Sequence, residues 1–339
     1  MRTFSPLFIL ISILLASCGT SAGDGPSHSE SVFGTWCTIK LADGGNSAIL
    51  DVAFSRLHSY DRLLSSYIAD SEISAVNKAA GKKAVKVSKD SFEAMRSALD
   101  FARLTDGVVD PTVEPLVALW GIGTDHARVP EASEIGIARG MVNWKDLVLD
   151  ESTMTARLAR EGMAIDLGAF AKGWAADQIK TWLASEGVKA AIIDLGGNIF
   201  VFGKKKDGNP WKVGIQDPTK ERGSYMGIVT SMGESVTTAG TYERFFEKDG
   251  VRYHHILDLS TGAPARSGLL AVTVIASTST MADGIDTALL ILGREKGMAL
   301  AGQIPGIRVI MVDDSGKVWL SPGANRSFEL TSANWKLAE

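Results

Sequence analysis

Asp283 and Thr287 stand four residues apart in a stretch whose apolar spacing predicts a helix over 280–292, closed by Gly293. Residues four apart on a helix share a face. A carboxylate and a hydroxyl one turn apart are hard oxygen donors, suited to Mg²⁺ or Ca²⁺ rather than zinc. The same spacing also arises when the aspartate complements the positive end of the helix dipole and the threonine packs. His254 and His255 are adjacent in a strand predicted over 251–257, so they point to opposite faces and only one can serve a given site. Imidazole is the usual proton-transfer group near neutral pH, though a lone strand histidine is more often structural than catalytic. Lys172 falls in the first turns of a helix predicted over 169–185, where a cation opposes the dipole. An anionic ligand at that terminus would relieve the conflict, and a solvated lysine would tolerate it.

These groups need a scaffold, and the pattern of the chain predicts one. An amphipathic helix is expected over 46–66, with Leu50, Ala53, Phe54, Leu57, Tyr60, Leu63 and Leu64 on one stripe. Ser71 and Ser88 are N-caps, the second for a helix to about Leu104 with Gly107 beyond it. Asp110-Pro111-Thr112 breaks the chain before a short apolar helix ending at Trp120, and 121–132 is loop. Strands are expected at 33–41, 146–150, 162–166, 190–194, 198–202, 211–216, 225–230, 242–247, 251–257 and 270–277, with a last hairpin turning at Asp313–Gly316. Helices and hairpins alternate irregularly, which argues for an α+β fold with antiparallel or mixed sheets rather than a doubly wound sheet.

Composition narrows the function. The 339 residues are 45% hydrophobic and 22% charged with a net charge of −4, so a nucleic-acid partner is excluded by the lack of a basic field. The start of the chain reads as a targeting segment: a weakly basic Met1-Arg2, an apolar core from Phe4 to Ala16, then Leu15-Ala-Ser-Cys18. That tetrapeptide resembles the lipobox of bacterial lipoproteins, making 1–17 a signal peptide, Cys18 the lipidated N-terminus and 18–31 a Gly/Ser-rich flexible tether. Gly19-Thr-Ser-Ala-Gly23 matches a hydrolase nucleophile elbow formally, but no strand precedes it and no helix follows. With Cys18 lipidated, Cys37 has no partner for a disulfide and the fold rests on its core. No G-x-G-x-x-G, Walker A, H-E-x-x-H or C-x-x-C motif occurs, so a nucleotide site here is neither Rossmann nor P-loop.

Several runs together resemble the bacterial flavin transferases of the ApbE family. They are Ser65-Ser-Tyr-Ile-Ala-Asp-Ser-Glu-Ile-Ser74, Thr105-Asp-Gly-Val-Val-Asp-Pro-Thr-Val-Glu-Pro-Leu-Val-Ala-Leu-Trp-Gly121 and Asp166-Leu-Gly-Ala-Phe-Ala-Lys-Gly-Trp-Ala-Ala-Asp177, followed by Asp194-Leu-Gly-Gly-Asn198, Thr237-Thr-Ala-Gly-Thr-Tyr-Glu-Arg244, His255-Ile-Leu-Asp258 and Ala282-Asp-Gly-Ile-Asp-Thr287. The resemblance implies a T-fold-related architecture over 32–320, as one body or two subdomains, with FAD in a central cleft and 321–339 as a C-terminal tail. It implies Mg²⁺-dependent transfer of FMN from FAD to a threonine hydroxyl of a target protein, with release of AMP. It also implies site residues: Phe33, Tyr67, Ala69, Asp70, Ser71, Asp110, Lys172, Leu257 and Asp258 against FAD, Ala169, Asp283 and Thr287 on magnesium, and His255 in catalysis. Phe33 stands where the family usually has methionine, and Leu259 where it has proline. The expected acceptors are FMN-binding subunits of redox pumps or related proteins, and the expected location is the periplasmic face of a membrane, held by the lipid anchor. A FAD pyrophosphatase and a non-enzymatic FAD-binding lipoprotein are the alternatives.

Overall fold

The computed structural model describes residues 25–338. Cys18 and the signal segment lie outside the described residues. A nine-stranded sheet forms the centre, in the spatial order Ser27–Val32, Thr35–Asp43, Ala190–Leu195, Ile199–Phe202, Ser235–Gly240, Leu269–Ala276, Arg308–Asp313, Lys317–Leu320, Lys336–Leu337. Every neighbouring pair is antiparallel except the last. Period-two alternation explains how the sheet is buried on both faces. Val272, Val274 and Ala276 enter a core with the helices, while Ala271 and Ile275 enter a second core behind the sheet.

The helices α1 (Ser47–Leu64), α2 (Glu72–Lys78), α3 (Lys89–Leu104), α4 (Glu114–Trp120), α5 (Ala132–Gly140), α6 (Ala171–Ser185) and α7 (Ser279–Ala301) follow in chain order. The buried faces of α1, α3, α6 and α7 share the first core with the sheet. The second core is closed by a three-stranded sheet, Phe328–Leu330, Tyr225–Ser231 and Trp211–Gln216. A third cluster joins Leu116 and Trp120 of α4 to Ala138 of α5 and to Leu257, and the Trp120 indole N–H donates to the Gly262 carbonyl at 2.7 Å. The result is the expected α+β class, with mixed sheets and flanking helices.

Five local expectations need correction. The tether prediction over 18–31 fails from Ser27 onward, because Ser27–Val32 pairs with Thr35–Asp43 as an edge strand. Its polar side chains suit an edge, and Glu30 accepts from His28 of the same strand at 2.7 Å and from His58 of α1 at 2.5 Å. No strand runs over 162–166: a single parallel bridge joins Ala164 to Val113, and the Asn77 side chain serves the next residue, accepting from the Ile165 N–H at 2.7 Å and donating to its carbonyl at 3.0 Å. The strand expected over 242–247 begins at Phe245, and the polar segment Ser235–Gly240 is itself a strand. Gly293 does not end the helix. It breaks it with φ 75° and ψ −179°, and the chain resumes helical structure to Ala301. The residues from 321 onward are no tail, since Phe328–Leu330 and Lys336–Leu337 add strands to both sheets.

Candidate active site

Helices α6 and α7 clasp each other through two aspartates. Asp177 of α6 accepts the N–H groups of Ser279 and Thr280 at 2.9 and 2.8 Å, satisfying orphan donors at the start of α7. In return Asp283 of α7 accepts the Gly173 N–H of α6 at 2.8 Å. The helices approach so closely that a Cβ on Gly173 would lie 2.5 Å from the Ser279 carbonyl and 2.6 Å from the Asp283 Cβ. Gly173 is the third residue of α6, where the backbone N–H has no intrahelical acceptor, and Asp283 supplies one. The Lys172 ammonium donates to the Gly168 carbonyl at 3.2 Å and lies 3.5 Å from the second Asp283 oxygen.

Asp286 is buried one turn along α7 beside Asp283. Burial, reinforced by the Asp283 charge, holds its carboxyl well above the usual carboxylate range. The Thr287 hydroxyl donates to it at 3.2 Å. No cluster of three or more His, Cys, Asp or Glu side chains suited to a metal exists among the described residues. The donors here are instead two buried carboxyl groups and a hydroxyl on α7, all oxygen. That set fits Mg²⁺, which is usually held by one or two carboxylates together with substrate phosphates. Asp283, Asp286 and Thr287 lie along one stretch of α7, and Asp283 reaches the first turn of α6, which Ala169 precedes.

The strand expected over 251–257 ends at His254, so only one of the two histidines lies in it. His254 ends its strand buried, its Nε2 hydrogen-bonded to the Ala265 carbonyl at 2.9 Å. His255 lies just past the strand, half-buried, with Nδ1 3.2 Å from the Arg244 carbonyl and the Arg244 carbonyl also receiving its N–H at 3.0 Å. That contact assigns the proton to Nδ1 and leaves Nε2 as a free base. Burial pulls the imidazole down to about 4, and the positive charges of Arg244, His254 and Lys172 act in the same direction. Across the opening, the Tyr67 ring is 68% exposed. Protein around its hydroxyl and the nearby Asp166 and Glu114 carboxylates raise its pKa to about 12, against the opposing effect of Arg244. Asp166 accepts from the Ser66 hydroxyl at 2.9 Å and the Gly168 N–H at 2.7 Å. Glu114 has a buried oxygen without a partner, and burial followed by the Asp166 charge raises its carboxyl to about 8.

Residues 33–311 match the ApbE family, which is nine-tenths of the described chain. The chain belongs to the ApbE family. A curated relative, the FAD:protein FMN transferase of Treponema pallidum, is 36% identical over 336 residues, covering 93% of this chain and 92% of its own length. The enzyme of the same description from Klebsiella pneumoniae is 34% identical over 313 residues, covering 92% and 97%. Among solved structures, the ApbE protein of Thermotoga maritima superposes with a TM-score of 0.83 at 29% identity, covering 89% of this chain and 98% of its own. The apo flavinyl transferase ApbE of Pseudomonas stutzeri gives 0.80 at 30% identity, covering 91% and 98%.

Within this ApbE-family chain the remaining expected residues divide by what their side chains already do. Phe33 and Gly34 turn the first hairpin with φ of 54° and 65°, the pattern of a two-residue type I′ turn, and the Phe33 N–H donates to Asp61 at 3.1 Å. Ser71 caps α2, accepting from Ser74 at 2.9 Å and donating to the Ser65 carbonyl at 2.6 Å. The Ala69 carbonyl accepts from Lys78, and Asp70 is exposed beside it. Asp110 has both oxygens engaged, one by the Thr112 N–H and hydroxyl at 2.7 Å each, the other by the Trp144 N–H at 2.8 Å. It lies on an open cleft of about 520 Å³ with Gly107, Arg139, Trp144 and Leu259, away from the helix crossing. Asp258 accepts from Ser260 at the turn after Leu257, which is buried. Sequence reasoning missed Asp286, Glu114, Gly173 and Arg244. The Asp-x-x-Asp spacing of 283 and 286 was a usable signal, since residues three apart on a helix are neighbours.

Proposed function

We propose that this protein moves FMN from FAD to a hydroxyl of a target protein, with Mg²⁺ and with a threonine as acceptor. The observation that carries the reading is the α6–α7 crossing: two buried carboxyl groups and the Thr287 hydroxyl on α7, with the Lys172 ammonium of α6 3.5 Å from Asp283. Curated relatives of the same length are named for this transfer. Asp283, Asp286, Thr287 and the Ala169 carbonyl would hold the ion, which supplies charge neutralisation to the diphosphate and the departing phosphate. Lys172 and the start of α6 bind the diphosphate of FAD. His255 takes the proton of the acceptor hydroxyl at Nε2. The hydroxyl oxygen bonds to the phosphorus of the FMN half, the bond from that phosphorus to the bridging oxygen breaks, and its electron pair leaves with AMP. Such chemistry depends on alignment and charge stabilisation more than on a covalent enzyme intermediate.

The protein is further proposed to act at the periplasmic face of a bacterial membrane, held by lipid on Cys18, with FMN-binding subunits of redox pumps or related electron-transfer proteins as acceptors. The lipobox-like Leu15-Ala-Ser-Cys18 supports this reading. No described helix is long and apolar enough to cross a membrane. Loss of membrane association and of incorporated labelled acyl chains in Cys18→Ser would be the expected result.

One assay tests the activity. The full chain in detergent is incubated with FAD and Mg²⁺, with and without a candidate acceptor, and AMP and protein-bound flavin are measured. AMP that depends on the acceptor and matches bound flavin is the expected outcome. AMP without acceptor would make water the acceptor and the protein a pyrophosphatase. Tight FAD binding with no AMP in either arm would make it a flavin-binding protein.

A further inference from the structure

Arg244 occupies a place in the site that the roles above leave unassigned. Its backbone carbonyl is the group that fixes His255. Its side chain extends over the mouth of the site: Nη2 lies 3.7 Å from where a Cβ on Gly34 would stand, and Cδ lies 3.6 Å from the same point on Gly123. The arm thus lies over two glycine turns, one of them the Phe33–Gly34 hairpin. Its charge reaches both Tyr67 and His255. Neighbouring Arg222 pairs with Glu243 at 2.6 Å and Arg252 with Glu247 at 3.2 Å. Among the described residues Arg244 has no such carboxylate, so five N–H donors at the mouth lack a fixed partner.

The two cations of the site are placed differently. Lys172 lies 3.5 Å from Asp283. The Arg244 main chain holds the His255 ring at 3.2 Å, and its guanidinium lies over the Phe33–Gly34 hairpin. A phosphoryl group attacked by a hydroxyl that His255 deprotonates must lie within reach of that imidazole. Charge spreads over its non-bridging oxygens in the transition state. We infer that the Arg244 guanidinium, whose own main chain already touches that imidazole, contacts the non-bridging oxygens of the transferred phosphoryl as a catalytic group that stabilises the transition state. A guanidinium is suited to this because its fork takes two oxygens of one phosphate at once. The inference rests on the flavin-transfer reading and adds to it a second cation for the phosphoryl besides Lys172.

The test compares wild type with Arg244→Gln, Arg244→Lys and Arg244→Ala, measuring the transfer rate, the acceptor KM and FAD affinity by flavin fluorescence. Removing one donor of this kind lowers kcat by about 10²–10³-fold. The expected result for Arg244→Gln is a fall in kcat of about 10²-fold with FAD affinity changed by no more than about 3-fold. Arg244→Lys recovers part of the loss, and added guanidinium ion raises the rate of Arg244→Ala but not of wild type. The main-chain carbonyl that holds His255 survives all three changes, so a loss cannot arise from that contact. An unchanged kcat with a raised acceptor KM would overturn the assignment and put the guanidinium on an acidic group of the acceptor. An unchanged kcat with weakened FAD binding would overturn it in favour of ground-state binding alone. Wild type inert toward FAD and acceptor would overturn the transfer reading as well, whereas full transfer by both wild type and Arg244→Gln would sink only the arginine.

Discussion

Asp283 Oδ2 accepts the backbone N–H of Gly173 at 2.8 Å, so a metal-type carboxylate of one helix is seated by the first turn of another. The seat exists because position 173 has no side chain: a Cβ there would meet the Ser279 carbonyl at 2.5 Å and the Asp283 Cβ at 2.6 Å. Neither neighbour is a flexible tip, so the helices themselves would have to part. Gly173→Ala therefore separates helix propensity from packing. Alanine favours an isolated helix by about 1 kcal/mol, whereas overpacking costs about 1–3 kcal/mol. A lower Tm and a raised Mg²⁺ requirement are expected for the variant. A Tm above wild type with an unaltered Mg²⁺ titration would show that the close approach is not needed.

Charge and hydrogen bonding at Asp283 can be told apart. Asp283→Asn keeps an oxygen to accept the Gly173 N–H and removes the charge, while Asp283→Ala removes both. The first variant should fold near wild type and lose Mg²⁺-dependent turnover. The second should in addition lose about 1–3 kcal/mol, because a buried N–H is left without an acceptor. Equal stability of the two variants in thermal melts would deny the structural half of this account. Turnover by Asp283→Asn at saturating Mg²⁺ would deny the other half.

The pH dependence follows from His255. Its pKa is depressed from 6.5 to about 4, chiefly by burial, so the imidazole is neutral and able to accept a proton throughout the range above about 5. A base that must be neutral loses activity only as pH falls through its own pKa. The acidic limb of kcat/KM for FAD is therefore expected nearer 4 to 5 than 6.5. His255→Ala should lower kcat by about 10²–10⁴-fold. An acidic limb at 6.5 in wild type would remove this histidine from the role of base.

Much of this site was legible in the chain, and what was missed has physical causes. Ser71 and Ser88 cap their helices as the spacing predicted, because a cap needs only local sequence. The Asp283–Thr287 face was visible from the helical period alone. Gly173 was not, since a glycine inside a helix gains its meaning from the helix that crosses it. Asp110 is set against FAD only by the family resemblance, and the donors that Thr112 and Trp144 supply to its two oxygens were not foreseen. The edge strand at Ser27–Val32 was hidden by its polarity, because the partner that orders it lies on the far side of a turn. The Asn77 side chain serves Ile165 where the apolar run at 162–166 suggested a strand. For Gly173, the edge strand and Asn77, the partner that decides the structure comes from another element of the chain.

Glu114 offers a test of the polar group beneath Tyr67. Its carboxyl is raised from 4.5 to about 8 by burial and by the Asp166 charge, and one of its oxygens is buried without a partner. The folded protein thus keeps a proton that the unfolded chain releases above pH 4.5. The sign follows from linkage: the unfolded state binds fewer protons between these two values, so stability falls as pH rises across that window and levels off above about 8. Glu114→Gln keeps the size of the side chain and cannot ionise. The variant should match wild type near pH 5 and exceed it at pH 8 by on the order of 2 kcal/mol. Thermal melts at the two pH values give the comparison. A gain of equal size at both would mean that relief of packing, not of ionisation, had been measured.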